Sequence, residues 1–212
     1  MTLTRQNIVF AALILGALIV EVAILVWFFG ERAVEDPVTR GAVGSEFDET
    51  AACGDTSPPV APSNTRSDDS RRFAVEVPPA WKSKTEGSVV TLSMKNGRAA
   101  LSVGRARSGD LLQALEDLRA SLRRSYKGLD VTSIEPLTLD GCPARSVAGR
   151  ARNRNGALLN FEGLVVAGPT DNFVIAGFHA SDSEPRMKVE LDRVIGSVRF
   201  YLSEAGDRLP RS

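Results

Sequence analysis

SVVTLSMKNGRAALSVGRARSGDLLQALEDLRASLRRSY, Ser88–Tyr126, changes its hydrophobic period partway along. Ser88–Met94 and Arg98–Ala106 alternate apolar and small or polar residues, the period-two pattern of half-buried strands. Lys95-Asn96-Gly97 between them is a hairpin turn, because Asn-Gly accepts the positive φ that a tight turn demands. From Asp110 to Tyr126 the spacing becomes helical. Leu111, Leu115, Leu118 and Leu122 fall on one stripe, with Glu116, Asp117, Arg119, Arg123 and Arg124 on the wet side.

Working outward, Phe73–Val77 adds a strand before the hairpin, and four more follow the helix. These are Asp130–Leu139, Cys142–Arg152, Ala157–Ala167 and Asn172–Ala180, with turns at Asn155-Gly156 and Gly168–Asp171. A second helix begins near Ser183-Glu184-Pro185, a cap followed by a proline tolerated in the first turn, with Met187, Leu191, Val194 and Ile195 as its stripe. Ser197–Phe200 closes the domain as a short strand. The order βββαββββαβ predicts an α+β domain over residues 72–203, an antiparallel β-sheet flanked by helices.

The opening Phe73-x-Val75-x-Val77-Pro78-Pro79-x-Trp81 resembles the F-x-V-x-x-P-x-x-W start of PsbP-like domains. The hairpin, the Leu-rich helix, Gly141-x-Pro143-Ala144 and the terminal Ser-x-Arg-Phe are also similar. That family includes an extrinsic photosystem II subunit, a eukaryotic Ran-binding regulator and actinobacterial envelope proteins of the LpqN type. The resemblance implies a PsbP-like sandwich that binds or stabilises partner proteins and performs no catalysis. It extends to neither end of the chain.

Ahead of the domain, Ile8–Phe29 is apolar except for Glu21. Its 22 residues would span ~33 Å as a helix, enough for a bilayer core of ~30 Å. Trp27, Phe28 and Phe29 suit an interfacial anchor. A cleaved signal peptide is the competing reading, but the run is long for one and Gly30–Ala33 is a poor cleavage site. Cys53 after Thr50-Ala51-Ala52 faintly resembles a lipoprotein box, yet it lies 24 residues past Phe29. The expectation is a single-pass signal anchor at 8–29 with residues 1–7 cytoplasmic and the C-terminal domain extracytoplasmic. Residues 30–71, rich in Gly, Ser, Thr, Pro and acid, read as a disordered tether, and 204–212 as a flexible tail.

The formal charge of zero is a sum of unlike parts. Residues 31–71 hold four Arg against nine acids, a net of −5, while 72–203 hold 19 Lys+Arg against 14 Asp+Glu, a net of +5. Such an acidic tether could screen a basic domain until an acidic partner competes. One His and two Cys leave no room for a zinc site of paired Cys and His ligands or for a disulfide-dense scaffold.

Several residues are candidates for function. An ionisable Glu21 within the span would bond a neighbouring membrane helix across the small residues Ala12, Gly16 and Ala17; the alternative is a protonated side chain in lipid. Arg150, Arg152 and Arg154 alternate along one strand face, and Arg105 and Arg107 form a shorter pair. This basic face would dock an acidic protein or anionic lipid surface, or else serve as a solvated face that discourages edge pairing. Cys53 and Cys142 are a possible disulfide, or one buried and one exposed thiol. His179 beside Ser181 and Asp182 invites an acid–base reading, but no nucleophile elbow or phosphate loop accompanies it. Trp81 reads as a core or rim anchor, with a ligand platform as the alternative.

These features suggest no catalytic residues, cofactor or metal. The expected function is a non-enzymatic, membrane-anchored accessory or stabilising subunit of a bacterial membrane protein complex (respiratory, secretory or cell-wall related). An extracytoplasmic module for a lipid or cell-wall ligand is the alternative. Nucleic acid is not an expected partner.

Overall fold

The computed structural model describes residues 53–54, 64–68, 70–182 and 185–201. The anticipated span with Ala12, Gly16, Ala17 and Glu21, most of the tether, the Ser183 cap and the C-terminal tail lie outside these residues. No helix among the described residues is long and apolar enough to cross a membrane.

Ten strands and two helices follow one another as β1 (Thr65–Ser67), β2 (Phe73–Glu76), β3 (Trp81–Glu86), β4 (Val89–Met94), β5 (Ala99–Arg105), α1 (Leu111–Ser125), β6 (Lys127–Leu139), β7 (Cys142–Arg152), β8 (Leu158–Ala167), β9 (Asn172–Ala180), α2 (Pro185–Gly196) and β10 (Arg199–Phe200). Seven strands form one antiparallel sheet in the order β3-β4-β5-β9-β8-β7-β6. A smaller antiparallel sheet, β1-β2-β10, accompanies it. The α+β class and both helices agree with the sequence reading.

Two strands escape that reading. Trp81–Glu86, WKSKTE, is too polar to look like a strand, yet Trp81, Ser83 and Thr85 face inward while Lys82, Lys84 and Glu86 face solvent. It is the sheet's edge, where lysines on the outer face discourage further pairing. Thr65–Ser67 lies within the stretch read as tether. Just after it, Asp68 is buried, its carboxylate accepting the Arg72 N–H at 2.7 Å and the Ser70 hydroxyl at 2.6 Å. The folded domain therefore begins before residue 72.

The large sheet has a packed layer on each face. Ala114, Leu115, Leu118 and Leu122 of α1 cover Val147, Phe161, Val165, Val174 and Phe178. Leu191, Val194 and Ile195 of α2, with Phe73, Val75 and Phe200 of the small sheet, cover Leu92, Leu101, Leu164 and Ile175. Asp110 caps α1, its carboxylate accepting the Gln113 N–H at 2.7 Å. Trp81 is 4% exposed and its indole Nε1–H donates to Glu190 of α2 at 2.8 Å, so it fastens the edge strand to the helix.

Candidate functional site: a basic pole beside a cleft

Antiparallel register sorts the sheet into two ends. Arg150 lies opposite Asn160, Asn160 opposite His179, and His179 opposite Ala99, one row across four strands. Ala144, Val166, Phe173 and Arg105 form a row toward the other end. The expected basic face is thus two separate places. Arg105 and Arg107 belong with the second row, where Arg107 lines a hollow of about 190 Å³ beside α1 together with Asp117 and Arg124.

At the first end, Lys127 stands directly opposite Arg152, and Asp130 opposite Arg150. Helix α1 passes into β6 through a single residue, Tyr126, which stacks on Phe178 with ring centroids 4.9 Å apart. That connection brings Arg123, in the last turn of α1, to the same end as the β7–β8 hairpin. Asn153, 1% exposed, shapes the hairpin tip: its Oδ1 accepts the N–H groups of Asn155 at 3.0 Å and Ala157 at 2.9 Å. Arg152 donates to the Gly156 carbonyl at 3.1 Å. Arg123, Lys127, Arg150, Arg152 and Arg154 are all exposed. We call this end the basic pole. Arg154 lies in the turn beyond β7, and β7 is an interior strand, so its charges do not protect an edge.

A cleft of about 270 Å³ adjoins the pole beneath α2, lined by Arg150, Asn160, Glu162, His179, Lys188 and Leu191 among others. Burial holds the Glu162 carboxyl above its ordinary value of 4.5. Lys188 pulls it down, while a hydrogen bond and the charge of Asp192 push it up. Lys188 Nζ meets Asp192 at 2.7 Å, and this hydrogen bond raises the ammonium's pKa. Sequence reasoning singled out none of Asn160, Glu162, Lys188 or Asp192. The available signal was Glu162 itself, an acid at an inward position of a strand between Phe161 and Leu164.

His179 does not assemble a triad. Its Nδ1 lies 3.2 Å from the Ala180 carbonyl, while Asp182 pairs with Arg98 at 2.8 Å. No cluster of three His, Cys, Asp or Glu side chains among the described residues could hold a metal ion.

At the opposite end the structure joins Cys53 to Cys142, with Cα atoms 4.3 Å apart. Cys142 opens β7 immediately after the Asp140-Gly141 turn. A Cβ on Gly54 would fall 2.5 Å from Pro169 and 3.0 Å from the Phe200 carbonyl, so this segment sits between the β8–β9 turn and β10.

The domain thus belongs to the class of α+β proteins whose antiparallel sheet is packed on both faces. Solved structures similar to it include cyanobacterial PsbP (CyanoP) from Synechocystis, at 16% identity over 73% of this chain and 100% of that one, with a TM-score of 0.49. LpqN of Mycobacterium tuberculosis, described as involved in cell envelope biogenesis, is 19% identical over 60% of this chain and 83% of that one, with a TM-score of 0.40. The Ran-binding protein Mog1p of Saccharomyces cerevisiae is 11% identical over 64% and 94%, with a TM-score of 0.42. No family model and no curated protein matches the chain.

Proposed function

We propose that this chain is a single-pass membrane-anchored envelope protein whose extracytoplasmic domain acts, without catalysis, as an accessory or interaction subunit of a bacterial membrane protein complex. The observation that carries the reading is the Cys53–Cys142 pair at bonding geometry. Such bonds persist in oxidising compartments outside the cytoplasm, which agrees with an N-terminal apolar run that leaves the domain outside. Bonding Cys53 also makes residues 30–52 the link from anchor to domain. The PsbP-like character of the sequence supports a partner-binding role.

A test combines non-reducing peptide mass spectrometry with labelling of intact cells by a membrane-impermeant lysine reagent. The expected result is one Cys53–Cys142 cross-linked peptide and labelled lysines in the domain, with partners retained after mild detergent extraction. Reduced cysteines and a domain shielded from the reagent would overturn the reading. The cleft beneath α2 favours a second reading, capture of a small lipid or cell-wall ligand, because Ala148, Phe161 and Leu191 supply apolar lining beside the polar groups of Arg150, Glu162, His179 and Lys188.

A further inference from the structure

We propose that the basic pole is the docking surface for an acidic face of a second protein, displayed away from the bilayer. The direction of display rests on the membrane-anchored reading above; the surface itself rests on the register and the turn. Lys127 and Arg152 occupy facing positions on neighbouring strands, where like charges destabilise a sheet. The fold gains nothing from that pairing. Arg123 has a local role as well, since a cation at a helix C-terminus complements the helix dipole. Arg150 stands opposite Asp130 and Arg152 is bonded to the Gly156 carbonyl, whereas Lys127 is set against a like charge.

The pole is organised for recognition. Asn153 fixes the hairpin tip with two backbone hydrogen bonds, and Arg152 is held against Gly156. Four of the five cations are arginines, whose planar forks accept carboxylates in pairs. Cations already ordered lose less entropy on docking than free side chains do. Asp130 is the one acid placed directly across from these cations in the β6–β7 register.

Position selects the occupant. Cys142 begins β7 and Arg150–Arg152 end it, so the pole lies ~27–33 Å along the strand from the disulfide. With Cys53 bonded, the link from the anchor arrives at the disulfide end and the pole faces outward. Headgroups of the same membrane are then at the wrong end. Asp48 and Glu49 are covalently too close to Cys53 to reach the pole at ~3.3–3.6 Å per residue, while Glu31, Glu35 and Asp36 lie far enough along the link to screen it. An acidic protein surface fits the pole's charge and competes with them.

The test uses the full chain in detergent, with fluorescent poly-glutamate as the acidic polypeptide and vesicles containing phosphatidylglycerol as the lipid. Arg150→Glu/Arg152→Glu should weaken poly-glutamate binding at least tenfold at low salt. Lys84→Glu/Arg107→Glu, an equal charge change away from the pole, should leave it nearly unchanged, and thermal melting verifies that both variants fold. Equal losses in the two variants, or pole-dependent binding to vesicles but not to poly-glutamate, would overturn the proposal. The failures separate: a cytoplasmic, reduced domain ends the anchored reading while pole binding in vitro survives, and an indifferent pole leaves the topology result standing.

Discussion

Leu118 of α1 seats over Gly163 of β8, where a glycine Cβ would lie 2.8 Å from the leucine Cδ2 and 3.1 Å from Val147 Cγ1. On the other face of the sheet, Gly177 of β9 receives Leu191 of α2 in the same way, with its nearest contact at 3.1 Å. Each helix thus lowers a leucine into a gap left by a glycine, which permits close packing on both faces.

Gly163→Ala forces the Leu118 side chain to shift within a fully buried layer and should cost about 1–3 kcal/mol. Gly177→Ala, with more clearance, should cost less. Urea unfolding of both variants checks the order. A Gly163→Ala/Leu118→Ala double variant should lose less than the sum of the singles, because removing the leucine relieves the clash.

The α1 stripe, the Asn96-Gly97 hairpin and the eight expected strands were legible because half-burial imposes a period on most of them. β3 was not. Its stability comes from pairing with β4, and only Trp81 among its residues is buried. The candidate sites were less legible still. Arg123 and Lys127 join Arg150 only because Tyr126 alone connects α1 to β6, and Arg105 leaves the group because β5 and β7 are separated by β9 and β8. Register decides both outcomes, and no periodicity encodes register between strands far apart in the chain. Glu162 was hidden similarly, since its surroundings come from α2, where Lys188 and Asp192 lie.

Glu162 predicts a specific pH response. Its carboxyl titrates above 4.5 in the folded chain, chiefly through burial, so the folded state holds that proton more tightly than the unfolded state. Its contribution to stability is therefore greatest at low pH and declines as pH rises from 4.5 through the folded value. Glu162→Gln keeps a donor for Asp192 and removes the ionisation. The variant should match the wild type near pH 4 and unfold at higher urea near pH 7. A wild-type advantage at pH 7 would show that the ionised carboxylate is the favoured form.

The disulfide closes a separation of 89 residues. Cross-links of this length stabilise chiefly by restricting the unfolded chain, typically by about 2–4 kcal/mol. Cys53→Ser should lower stability by about that amount and remove the wild type's sensitivity to reductant. Unfolding with and without dithiothreitol checks both. Cys53 is the informative partner to replace, because Cys142 is wholly buried and its loss would also disturb the core.

Asp140 combines two tasks at the β6–β7 turn. Its φ of 53° and the 73° of Gly141 suit a two-residue hairpin turn, while its carboxylate accepts the Phe200 N–H at 2.8 Å and lies 3.5 Å from Arg199. The turn thereby holds β10, and with it the end of the small sheet. Asp140→Ala loses the acceptor and places a Cβ in the left-handed region without a compensating polar group, at about 1–2 kcal/mol for the backbone alone. Asp140→Gly removes the backbone strain but not the missing acceptor. Asp140→Asn keeps an acceptor and tolerates positive φ. Stability measured by urea unfolding should therefore fall in the order wild type, Asn, Gly, Ala. An Ala variant as stable as the Asn variant would show that neither the turn conformation nor the Phe200 contact contributes.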